Sequence, residues 1–72
     1  MNTYWWAVER ARNYMTDAVR YDDASDFGQA CGIATGLYFA DAIDGAEFNG
    51  LRNEFRFEFF RAKERRMEGL PV

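Results

Sequence analysis

Residues 26–43 read DFGQACGIATGLYFADAI, and the placement of this stretch decides the fold. Gly28, Gly32, Gly36 and then Ala40 recur every four residues, so they share one stripe of an α-helix. Phe27, Ala30, Cys31, Ile33, Ala34, Leu37, Tyr38, Phe39, Ala42 and Ile43 point in nearly every other direction. A helix that is apolar all round is a buried one, so a central helix over 26–43 is expected. The stretch is too short, and too interrupted by Asp and Gln, to read as a membrane span. An interior glycine costs about 1 kcal/mol relative to alanine. The expected return at 28, 32 and 36 is close packing, either of a neighbouring helix backbone or of aromatic rings seated in the gaps.

The turn that follows carries the sharpest local signal. Asp44 stands three residues before Glu47, a capping box with aspartate in the cap position, and Ile43 and Phe48 flank it as a hydrophobic staple. The link out of the central helix should therefore be two or three residues long, which favours an antiparallel helical hairpin. A helix over about 45–68 follows, with Phe48, Leu51, Phe55, Phe59 and Ala62 on the stripe facing its neighbour. Its end is marked by Arg65 and Arg66 in the last turn, Gly69 at C′, Leu70 at C″ and Pro71 beyond. Residues 55–59 alternate like a strand, but no turn residue separates them from the helix formers on either side, and the helical reading is kept.

Ahead of the centre, a helix over about 3–20 is expected, with Asn2 or Thr3 as its cap. Tyr4, Val8, Ala11, Met15 and Ala18 form its apolar face, widened by Ala7, Tyr14 and Val19. Trp6 falls among the polar residues. It either lies under the chain terminus or over Arg10, or it is a contact residue for a partner. Between the first two helices, Asp22, Asp23 and Ser25 are good caps, and Asp23 with Asp26 resembles a capping box. Neither register of a calcium-binding loop fits these acids.

The whole is one all-α domain, 1–72, of three helices. Seventy-two residues lie near the lower limit for independent folding. Seven Phe, four Tyr and two Trp compensate with large buried areas. Cys31 is the single cysteine and reads as a small apolar residue with no base or cation near it in sequence. The lack of a disulfide framework, and a start without a basic region followed by an apolar run, make the cytoplasm the expected compartment.

Formal charge is −3. Residues 1–44 carry three arginines against seven acids, whereas 45–72 carry six bases against five acids. That balance argues against a dedicated nucleic-acid binder. The basic surface of Arg61, Lys63, Arg65 and Arg66 reads better as a self-paired helix end, with Glu58, Glu64 and Glu68 beside it. A helix-turn-helix with residues 45–54 as reader would turn Glu47 and Glu54 toward phosphates.

The third helix has a surplus. Ala46, Gly50, Phe57, Phe60 and Met67 lie roughly opposite its core stripe. Either the first helix wraps over this second face, or the face binds a protein partner or a second copy, Phe57 and Phe60 meeting their copies in a symmetric homodimer. Trp6, Phe57, Phe60 and Met67 are the candidate protein-binding residues, and Asp17, Asp22, Asp23 and Asp26 an acidic surface able to imitate phosphates.

Catalytic chemistry is missing from the sequence. There is no histidine, the single cysteine looks buried, and no phosphate-cradling glycine loop occurs. No cofactor, metal, membrane contact or enzymatic activity is expected. The expected function is a protein-interaction module, an inhibitor or adaptor occupying a surface of a larger machine. That class includes phage- and plasmid-borne inhibitors of host defence such as anti-CRISPR proteins, an association of size and composition rather than of residues. The alternatives are a nucleic-acid-associated regulator and a structural subunit of an assembly.

Overall fold

The computed structural model describes residues 4–72. They form α1 (Trp5–Tyr21), α2 (Ala24–Phe39) and α3 (Gly45–Met67), in a body measuring 42 × 19 × 19 Å. The all-α expectation holds, and residues 55–59 are helical. Tyr38 near the end of α2 stacks on Phe48 near the start of α3, at 4.7 Å. Phe27 near the start of α2 stacks on Phe59 near the end of α3, at 4.4 Å. The order of these pairs makes α2 and α3 run in opposite directions.

Local chemistry sets the helix ends. Asp23 caps α2, accepting from the Ser25 amide at 2.8 Å and the Asp26 amide at 3.3 Å. Asp44 caps α3, accepting from the Glu47 amide at 2.8 Å. The Glu47 carboxylate is engaged elsewhere: it accepts from the Tyr4 hydroxyl at 3.0 Å and joins the start of α1 to that of α3. Tyr4 precedes α1 without a side-chain cap of its own, and the expected caps Asn2 and Thr3 lie outside the described residues.

The predicted stop at Gly69 is present, with φ +76°, Leu70 N–H donating to Arg65 O at 2.7 Å and Gly69 N–H to Arg66 O at 3.1 Å. The same pair of hydrogen bonds closes α2 earlier than predicted. Ala42 N–H donates to Leu37 O at 2.9 Å and Asp41 N–H to Tyr38 O at 3.1 Å, with Asp41 at φ +58°. The central helix therefore runs from Ala24 to Phe39 rather than over 26–43, and the link to α3, residues 40–44, is longer than the two or three residues expected. Aspartate tolerates the left-handed region better than most residues, so the stop needed no glycine.

The expectation for Gly28, Gly32 and Gly36 is overturned. All three are exposed, and a Cβ built on any of them would meet nothing within 4 Å. Close packing falls to alanine instead. Ala7, Ala11 and Ala18 of α1 and Ala30 and Ala34 of α2 are buried, and α1 and α2 make the most intimate of the three interfaces. Together with Met15, Phe55 and Phe59, Ala11, Ala18, Ala30 and Ala34 form the central cluster. In a three-helix body each helix has only two neighbours, so one side of α2 faces water whatever its composition. Phe39, at 79% exposure, lies on that outward side, contrary to a helix buried all round.

On α3 the core stripe is as predicted. Phe55, Phe59 and Ala62 are buried and Phe48 and Leu51 half-buried. Ile43 is buried at the turn.

Candidate interaction surface

The stripe that buries Phe55 and Phe59 fixes what the rest of α3 presents. With a rotation of about 100° per residue, Phe57 and Phe60 fall on the far side of the helix, about 60° apart. They are 66% and 48% exposed, and Met67, two turns on, is 86% exposed. Ala46 and Gly50 on the same side are exposed as well. Helix α1 leaves Phe57 and Phe60 uncovered: α1 and α3 share the loosest of the three interfaces, and α1 only borders this face, at Gly50 and, through Val19, beside Phe57.

Phe60 is steadied from below, its ring edge-on to Phe59 at 5.6 Å and to Phe27 at 5.9 Å. Phe57, Phe60, Arg56, Arg61 and Glu64 line a shallow concavity of about 330 Å³. Along the helix surface Arg56, Phe60 and Glu64 form one row and Phe57 and Arg61 the next, each with four-residue steps. The two rings thus lie between two guanidinium groups.

The basic run is divided by the fold. Lys63 donates to Asp22 at 2.9 Å and stands over the Phe59 ring at 5.1 Å. Arg66 donates to the carbonyls of Val19 and, at 3.0 Å, Arg20, the open end of α1. Arg65 donates to Pro71 O at 2.5 Å. The expected pairing within the run is therefore replaced by pairing to α1 and the chain end, because α3 is long enough to reach past α1. Arg12 pairs with Glu54 across the α1–α3 groove. Among the described residues Arg52, Arg56 and Arg61 form no ion pair.

The acidic surface is also partly consumed. The hydrogen bond from Lys63 holds the Asp22 carboxyl below its ordinary range, and Asp23 is spent on its cap. Burial, then the Asp23 charge, pushes Asp26 up. Only Asp17 among the four is both exposed and without a cap or pairing role. Burial, then the neighbouring Glu54 charge, raises Glu58. The Glu47 hydrogen bond raises the Tyr4 hydroxyl. Burial likewise raises the half-buried Cys31 thiol, and the opposing influence of Arg56 and Arg52 is smaller. Those two cations are invisible as neighbours in the sequence, yet the thiol stays protonated, as a small apolar residue would.

Trp6 is 58% exposed at the other end of the body. It does not lie beneath Arg10, whose guanidinium stands over Tyr14 at 6.0 Å. Nor does the fold bring it to Phe57 and Phe60. Tyr4 is level with Glu47, so the two sites are separated by more than about 10 Å of helix rise. Trp5, equally exposed, was missed by the sequence reading. It lines a groove of about 490 Å³ between α1 and α3 with Val8, Gly50 and Leu51. Its position seven residues before Arg12 on the polar side of α1 was the available signal. No helix among the described residues is long and apolar enough to cross a membrane.

No family model, no curated protein and no solved structure matches this chain.

Proposed function

We propose that this chain is a non-catalytic interaction module that docks the outer face of α3 onto a protein surface. The observation that carries the reading is the exposure of Phe57, Phe60 and Met67 on one helix face that the chain's own packing leaves open. Contiguous exposed apolar residues with a charged rim mark contact sites, and aromatic and arginine side chains supply most anchor energy in interfaces. An inhibitor or adaptor works in this way, by occupancy rather than chemistry. The further step to a phage- or plasmid-type inhibitor of host defence rests on size and composition alone.

The nucleic-acid reading draws less support. It relied on the 61–66 run, in which Lys63, Arg65 and Arg66 are turned toward Asp22, the α1 carbonyls and Pro71. Affinity purification of the chain from host cells, wild type beside Phe57→Asp/Phe60→Asp, tests the proposal. A stoichiometric protein captured by the wild type and lost by a variant with unchanged helical content is expected. A partner retained equally by both removes α3 from the interface.

A further inference from the structure

We infer that the partner segment recognised by α3 is an acidic one, with one or two apolar side chains set between carboxylates. This deepens the docking reading above and rests on it. Three observations carry it. The concavity has an apolar floor made by Phe57 and Phe60 and cationic edges made by Arg56 and Arg61. Arg12, Lys63, Arg65 and Arg66 are held by Glu54, Asp22 or a backbone carbonyl, whereas Arg56 and Arg61, the two cations at this concavity, form no ion pair among the described residues. The two lie on opposite flanks of the face, five positions and about 7.5 Å of helix rise apart. A ligand filling the space between the rings therefore passes one guanidinium on each side. Glu64 projects into the same concavity, so the carboxylates belong at the two edges and not over the centre.

Charge also separates this occupant from its rivals. In a two-fold α3–α3′ crossing centred on the rings, Arg56 and Arg61 of both copies gather at the edges of one small contact. Like charges facing each other across an interface are unfavourable, so a second copy fits poorly. A nucleic-acid strand needs cations for successive phosphates, and here Glu64 interrupts the row and Lys63 is bound to Asp22. A short acidic peptide asks for only the two edges. Helix-in-groove docking, with apolar anchors three or four residues apart, is one geometry that meets this demand.

The test is a selection of random 16-residue peptides displayed on particles, panned on the folded full chain. Binders are re-scored on Phe57→Ala/Phe60→Ala, on Phe57→Ala alone, and on Arg56→Glu/Arg61→Glu. The single variant guards against loss of the Phe60 packing on Phe27 and Phe59. We expect the ring-dependent peptides to be net negative, with apolar residues between acids. Their affinity should fall about tenfold or more on charge reversal, and lysine-for-acid peptides should recover on the reversed protein. Ring-dependent peptides that are neutral or basic overturn this inference and leave the docking face standing. A selection with no ring-dependent peptide overturns both. Tighter ring-dependent binding of a 12-nucleotide single strand than of any peptide at 100 mM salt overturns it in favour of nucleic acid. A wild-type dimer in sedimentation that Phe57→Ala dissociates overturns it in favour of self-association.

Discussion

The two sides of α2 carry residues of nearly the same size and have opposite fates. Ala30 and Ala34 are pressed against neighbours, at 0% and 1% exposure, while Gly28, Gly32 and Gly36 look into open space. A small residue permits close approach; it does not bring a neighbour. Which of two small stripes is used depends on where the other helices dock, and here the docking is decided by large side chains. Phe27 and Tyr38 stack on α3 and Met15 lies in the core cluster, which together turn the alanine stripe inward.

The comparison breaks most visibly on its inner side. Ala30→Leu with Ala34→Leu should destabilise the fold by roughly 1–3 kcal/mol for each substitution, because a packed interface must separate to admit the added carbons. Urea unfolding measures this, and a loss below about 1 kcal/mol for the pair means that the α1–α2 contact is looser than described. The outer side should respond with the opposite sign. Replacing Gly28, Gly32 and Gly36 together by alanine should stabilise the fold by about 2–3 kcal/mol, since each helical glycine costs about 1 kcal/mol and no neighbour is struck. A fall in stability would show that the glycines pack after all. The smallest effect lies at the end of the same helix. Asp41→Gly, at φ +58°, should raise stability by up to about 1 kcal/mol, whereas Gly69→Ala, at φ +76°, should lower it by a similar amount. Thermal unfolding of both variants checks the pair.

These contrasts locate what was legible in the chain. The caps at Asp23 and Asp44 and the stop at Gly69 were readable because each is a contact among residues within five positions of one another. The core stripe of α3 was readable because Phe55, Phe59 and Ala62 keep strict helical spacing. The end of α2 was missed because the apolar pattern continues through Ala42 and Ile43 while the backbone has already turned at Asp41. The glycine stripe was misread because its orientation is a property of three helices, not one. For the candidate surface, the surplus face of α3 was visible as Phe57 and Phe60, since a second stripe on a two-neighbour helix has nowhere to go. The division of the cations was not visible. Lys63 and Asp22, or Arg66 and Val19, are joined only by the fold.

Arg66 has a consequence of its own. Its guanidinium closes the open carbonyls at Val19 and Arg20, more than forty positions earlier in the chain. The final turn of α1 thus borrows its termination from the other extreme of the polypeptide. Fraying at either place exposes the other, so amides near residues 18–21 and those near 63–67 should open as one cooperative unit, although the sequence sets them far apart.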